Sequence, residues 1–270
     1  MSAESDRLLR IARQHLETTA LLGVGFVPTR RVAPARSTAE PVPEIHTTSP
    51  RVPNLFKDDA PPGTAGGTEL AADEKPAALE ALRTRHDADC PHCTTTTSHT
   101  QTVFGEGNPN ADLMFVGEAP GQEEDRTGRP FVGRAGRKLD EMITAMGMQR
   151  EDVFIANILK SRPPDNRSPL PTEVDSCAPF LAEQIRIIRP TVLVSLGNPA
   201  TKFMLRTNAG ITRLRGNWAT YTDGALSIPV MPTFHPAYLL RNYTVETRRQ
   251  VWSDMQAVME RVAPNKDGCS

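Results

Sequence analysis

Between Leu113 and Val262, short apolar runs alternate with stretches of helical period, and this alternation is what most limits the folds open to the chain. Leu113-Met114-Phe115-Val116, ending at Gly117, reads as a buried strand; Val153–Ala156, Thr191–Leu196 and Pro229–Thr233 repeat the pattern. Leu139, Met142, Ile143 and Met146 recur at helical spacing and are closed by Gly147. Thr172, with Asp175 three residues on, resembles a capping box opening a helix to about Ile188. Another helix follows Gly197-Asn198-Pro199, and a last one spans about Val245–Val262. The expected fold class is α/β: a three-layer α/β/α sandwich around a central, mainly parallel sheet of four strands. Ligands of such sheets bind beyond the carboxyl ends of the strands. Four unusual segments follow predicted strand ends: Gly117–Asp125, Asn157–Arg167, Gly197–Ala200 and His235–Arg241. The topology should bring them to one rim.

The region before this core reads differently. Residues 1–27 hold an amphipathic helix over about 5–22, with Leu8, Leu9, Ile11, Ala12, Leu16, Leu21 and Leu22 at roughly helical spacing. Residues 28–76 are rich in Pro, Ala, Thr and Gly and poor in bulky apolar side chains, so they read as a disordered linker. A short helix over about Ala77–Arg85 opens the folded domain, 77–263, and 264–270 are a tail.

Bulk properties narrow the function classes. No apolar run reaches the roughly 20 residues that span a bilayer, and Met1–Arg10 lacks a signal-peptide core, so a cytoplasmic, monomeric protein without membrane contact is expected. The net charge of −1 means that any contact with DNA must come from local basic clusters. Arg126, Arg129, Arg134, Lys160, Arg162, Arg167 and Arg241 fall on or beside the rim loops, either as ordinary solvated surface or as phosphate contacts. Neither a Walker pattern nor a dinucleotide fingerprint is present, which argues against a phosphate-cradling role for Gly117–Gly121.

Three loops carry the chemistry. Gly117-Glu118-Ala119-Pro120-Gly121-Gln122-Glu123-Glu124-Asp125 combines close-approach residues with carboxylates able to orient water, although alone it could be an acidic turn. Asn157, last on its strand, offers a donor and an acceptor to a base edge, or else caps a loop. His235-Pro236-Ala237-Tyr238-Leu239-Leu240-Arg241 couples a histidine to an apolar wedge of the kind that fills a gap in a base stack.

Together, GEAPGQEED, GRPFVGRAG, the RPPDNRSP loop behind Asn157 and HPAYLLR resemble the family 4 (iron–sulfur) uracil-DNA glycosylases of the uracil-DNA glycosylase superfamily. The resemblance covers about Cys90–Val262. It implies hydrolysis of the N-glycosidic bond of a flipped-out deoxyuridine, releasing uracil and initiating base-excision repair. The alternative is a non-catalytic uracil- or DNA-binding module of the same fold. By the resemblance, Phe131 stacks on uracil, Asn157 reads its edge, and His235 bonds uracil O2 as negative charge develops. Gly117 and Ala119 belong to the same uracil-binding loop. Glu118 and Glu124 position or activate water, since Ala119 stands where the best-known uracil glycosylases carry a water-activating Asp. Leu239 is the expected wedge, and Arg241, Arg162 and Arg167 are expected on the phosphate backbone. Uracil-containing DNA is thus the expected partner, and the N-terminal helix could tether a repair or replication protein.

The same family holds a [4Fe–4S] cluster on four cysteines. Cys90, Cys93 and Cys177 match three of them, whereas Ser161 stands in the fourth position. A serine oxygen or water could complete a four-iron cluster, the chain could carry a three-iron cluster, or the site could be empty or hold zinc. Cys269 lies in the tail, and His99 replaces an arginine that relatives carry near the cluster loop.

Overall fold

A computed structural model describes residues 69–96 and 98–262. The expected N-terminal helix, nearly all of the linker, and the tail with Cys269 lie outside the described residues. Helix α1 (Lys75–Asp89) starts two residues ahead of the expected domain start. The segment before it packs on the core through Leu70, and Lys75 Nζ donates to the Ile188 carbonyl at 2.9 Å.

Among the described residues, six strands form one sheet: β1 (Glu106–Gly107), β2 (Leu113–Gly117), β3 (Phe154–Asn157), β4 (Val192–Leu196), β5 (Ala219–Asp223) and β6 (Leu226–Thr233). Their order is β1-β3-β2-β4-β6-β5. The four predicted strands are the parallel centre, and β1 and β5 add antiparallel edges that the sequence reading missed. Among the described residues the four expected central strands are thus flanked by two further ones. Both edges lack the apolar runs that mark the centre: β1 is only two residues long, and β5 reads Ala-Thr-Tyr-Thr-Asp.

The period-two alternation of the strands feeds two cores. Met114, Val116, Phe154, Ala156, Leu193 and Val230 face one layer, built from α1, α5 (Pro171–Ile188) and α6 (Gly197–Leu205). Leu113, Phe115, Ile155, Val194 and Met231 face the other, built from α4 (Arg134–Ala145) and α9 (Val245–Val262). Because both faces are covered, every central residue of β2, β3 and β4 is buried. This is the three-layer sandwich expected.

Helix α5 begins differently from its predicted cap. Pro171 takes the first helical position, and the Leu170 N–H donates to Glu173 Oε2 at 2.8 Å, so Glu173 rather than Asp175 satisfies the helix start. Short helices α3 (Gln122–Thr127) and α8 (Pro236–Arg241) occupy parts of the expected loops, and α2 (Pro91–Thr95) and α7 (Ile211–Leu214) are further short helices. Among the described residues, no helix is long and apolar enough to cross a membrane.

Candidate active site and thiol cluster

The ends of β2 and β3 meet in register, Gly117 opposite Asn157. A Cβ placed on Gly117 would overlap both Asn157 Oδ1 and Phe131 Cζ, so these three residues share one small space. Phe131 and His235 are neighbours as well, with ring centroids 5.6 Å apart and tilted by 32°. An aromatic face, an amide and an imidazole from three distant parts of the chain thus converge on one spot at the expected rim.

Each is held rigidly. Phe131 has a left-handed backbone (φ 51°), which strains a bulky residue and persists only where neighbours impose it. Arg150 does so, donating to the carbonyls of Pro130 and Phe131 while pairing with Asp140 at 2.7 Å. Gly136 is required behind it, because a Cβ there would overlap the Phe131 carbonyl. Asn157 is buried, and its Oδ1 has no hydrogen-bond partner among the described residues. Its backbone carbonyl accepts from Lys160 Nζ at 2.9 Å, and the same ammonium donates to Gln184 Oε1 at 2.6 Å. His235 caps α8, its Nδ1 accepting from the Ala237 N–H at 3.1 Å. That bond leaves the ring proton of the neutral imidazole on Nε2. Burial, followed by the charge of Arg241, brings the His235 pKa down to about 4, so the ring is neutral near pH 7.

The two candidate glutamates differ in what they are free to do. Glu124 Oε1 accepts from the Val132 and Gly133 N–H groups at 2.9 Å each, and Oε2 accepts from the Gly121 N–H at 3.1 Å. Its carboxylate is a clamp that ties the loop before α4 to the start of α3. Glu118 is half-buried and its side chain makes no hydrogen bond or ion pair among the described residues; burial raises its pKa. Of the two, Glu118 has the carboxylate available for water.

Behind this pocket lies a third buried cluster of Cys90, Cys93, Leu159 and Cys177, against which Ala119 packs. The Cys90 and Cys177 sulfurs are 3.8 Å apart, those of Cys93 and Cys177 3.7 Å apart, and the Cys93 thiol donates to Ser161 Oγ at 3.4 Å. Hydrogen bonds from the Cys177 and Cys93 thiols hold the Cys90 thiol well below its ordinary pKa. Ala119, expected in uracil binding, thus faces the cysteines as well as the rim.

Residues 104–256 match the family model described as the Uracil DNA glycosylase superfamily. The chain belongs to that superfamily. Within it, the chain is 48% identical over 168 residues to the Type-4 uracil-DNA glycosylase of Thermotoga maritima, covering 62% of this chain and 86% of the relative. It is 42% identical to the Type-4 uracil-DNA glycosylase of Sulfurisphaera tokodaii, over 63% of this chain and 79% of the relative. The Archaeoglobus fulgidus protein of the same name is 39% identical, over 65% and 89%. These matches place the chain in the type-4 branch of the superfamily.

Several rim assignments change in this uracil-glycosylase superfamily fold. Lys160, expected among the phosphate contacts, is fully buried beneath the pocket, and burial lowers its pKa to about 7. Leu239, the expected wedge, packs into the core between α4 and α9, while Leu240 is only partly buried. The reason is helical: α8 turns one leucine inward and leaves its neighbour outward. Arg167 is engaged in a bidentate pair with Glu173 (2.6 and 2.8 Å), Arg129 in one with Glu106 (2.6 and 2.7 Å), and Arg126 pairs with Glu123. Arg162 donates to Asn166 Oδ1 at 2.7 Å. Arg134 and Arg241 are exposed and make no ion pair among the described residues.

A buried histidine joins the three thiols. His86 is buried, and a ring nitrogen of it lies within 4.8 Å of the sulfurs of Cys90, Cys93 and Cys177. Sequence reasoning missed it, although a histidine one helical turn before a C-x-x-C pair was a usable signal. Three thiols and an imidazole are donor chemistry that iron–sulfur clusters and zinc share, so the residues fit a metal centre.

Proposed function

We propose that the chain hydrolyses the N-glycosidic bond of a deoxyuridine extruded from DNA, releasing uracil and leaving an abasic site. The convergence of Phe131, Asn157 and His235 beside Gly117 carries this reading, with the buried, unpartnered Asn157 Oδ1 as its sharpest feature. A buried acceptor is costly unless a ligand donor meets it, and uracil N3–H is such a donor. The Asn157 amide N–H then meets uracil O4. Phe131 supplies the stacking face, and Gly117 keeps the space between them open.

As the bond from C1′ to N1 breaks, its electron pair goes to uracil and positive charge builds on the sugar. His235, neutral with its proton on Nε2, donates to uracil O2 and stabilises the leaving anion. Water, positioned by Glu118, adds to C1′, and the proton it gives up ends on the departing uracil anion. Glu124 contributes through the loop it clamps. Leu240 takes over the wedge role from Leu239, and Arg134, Arg241 and Arg162 flank the mouth for phosphates. Extrusion costs a few kcal/mol, least in a mismatch or single strand.

We further propose a [4Fe–4S] cluster at the thiols, where it would tie the segment of Cys90 and Cys93 to α5. A single zinc ion is a second reading, favoured by the 3.7 and 3.8 Å sulfur separations. Zn–S bonds of about 2.3 Å in a tetrahedron give edges of about 3.8 Å.

A single-uracil oligonucleotide followed by alkaline scission tests the activity. Cleavage at the uracil is expected; a gel shift without scission would point instead to the binding module. The pH dependence tests the roles. Protonating Glu118 removes its hold on water, so kcat/KM should fall as pH drops through its raised pKa, and Glu118→Gln should abolish that limb. A limb near 6.5, where an ordinary histidine titrates, that survives in Glu118→Gln would contradict a neutral, buried His235. Gly117→Ala should lower kcat/KM by about 100-fold, as a small misplacement of reacting groups does, with the melting temperature changed by only a few degrees. Wild-type turnover in Gly117→Ala would mean that the pocket lies elsewhere.

A further inference from the structure

We infer that His86 supplies the fourth ligand of the metal centre, in place of the cysteine that Ser161 replaces, so that the site is Cys3His. This rests on the reading that the thiol cluster binds metal.

Four observations single out His86. It is fully buried, and its Nε2 has no hydrogen-bond partner among the described residues. Its other nitrogen is engaged: Nδ1 lies 2.9 Å from Asp87 Oδ1, which also accepts from Thr102 Oγ1 at 2.8 Å. An Nδ1–H held by a carboxylate fixes the tautomer and leaves the Nε2 lone pair free, the arrangement that orients most metal-bound histidines. Third, His86 and Cys90 are four residues apart at the end of α1, where the Cys90 N–H still donates to the His86 carbonyl at 3.0 Å, so both project from one face. Fourth, the edge of Phe180, 4.9 Å away and perpendicular, fixes the plane of the ring.

Ser161 is the obvious competitor, being buried with Oγ 3.4 Å from Cys93 Sγ. Its chemistry is poorer. A serine must lose a proton of very low acidity to bind as an anion, whereas a neutral imidazole binds without deprotonation. His92 lies between the two cysteines in sequence but is not among the four residues whose ligand atoms lie within 4.8 Å of one another; its Nδ1 is 4.0 Å from Glu173.

The test is metal analysis of the full chain purified anaerobically: iron, acid-labile sulfide and zinc per chain, for wild type and for His86→Ala, His86→Cys, Ser161→Ala, Asp87→Ala and His92→Ala. Iron with sulfide identifies a cluster, and zinc alone a single ion; the ligand assignment is read the same way in either case. Bound metal should fall about tenfold in His86→Ala, stay at the wild-type level in Ser161→Ala and His92→Ala, and be retained in His86→Cys. Asp87→Ala should weaken metal affinity by at least about tenfold. Spectroscopy gives an independent readout. Wild type should show one directly bound nitrogen, by pulsed EPR of a reduced cluster or by X-ray absorption at zinc, and His86→Cys should show none. Metal kept in His86→Ala but lost in Ser161→Ala would overturn the assignment while leaving the metal centre standing. A wild type without bound metal would overturn both, and an all-sulfur and oxygen shell in wild type would overturn His86 alone.

Discussion

His235→Ala should lower kcat for uracil release by about 100- to 1,000-fold, the effect of removing one donor to a developing anion, while DNA affinity changes little. The asymmetry follows from where the side chain sits. His235 is mostly buried beside Phe131, with its Nδ1 tied to the Ala237 N–H, so only Nε2 is left to serve the proposed role, which matters most once charge has built up. Affinity comes mainly from phosphate contacts made elsewhere. Single-turnover kinetics and a binding titration on the same uracil oligonucleotide separate the two quantities. Equal losses in both would mean that His235 supports the fold of the mouth rather than the chemistry. His235→Gln, which keeps a donor, is the control and should recover part of the rate.

Asn157→Asp should collapse the preference for uracil over cytosine. A site built to pair with particular donors and acceptors rejects the wrong partner by factors of about 10,000 or more, because mismatched buried groups are left without partners. The amide presents one donor and one acceptor. Asp at 157 replaces the donor with an acceptor, which faces uracil O4 with repulsion and cytosine N4–H2 with a bond. Release of uracil should fall by at least about 100-fold while that of cytosine rises from its background. The measurement is product release from matched oligonucleotides carrying either base. An unchanged ratio would remove Asn157 from base recognition. Lys160 holds the Asn157 backbone from beneath, so the substitution should leave the local main chain in place.

The architecture was legible because its central strands are apolar throughout and its helices periodic. Val245–Val262 is helical over the expected residues, and the four predicted strands all lie in the parallel centre. Edge strands were not legible: β1 is two residues long, and β5 carries polar residues on its solvent side. Residue types at the strand ends pointed to Gly117, Asn157 and His235, but which neighbours engage each side chain is a tertiary fact. Glu118 and Glu124 look equivalent on paper; three backbone N–H groups, two of them eight and nine residues downstream, occupy the second. Lys160 sits in a run of rim residues yet turns inward to Gln184, 24 residues away. His86 is camouflaged by its surroundings, since Arg-Thr-Arg-His-Asp-Ala-Asp reads as a solvated helix face. Only the packing of α1 on α5 brings it to the sulfurs.

Lys160 sits between two parts of the molecule usually considered separately. Its ammonium joins the Asn157 carbonyl to Gln184 on α5, the helix that also bears Cys177, and its sequence neighbour Ser161 touches Cys93. Disturbance of the thiols therefore has a short mechanical route to Asn157, the residue proposed to read the base. On the proposed roles, loss of metal from the thiols should lower uracil release together with metal content, so that a damaged molecule falls silent.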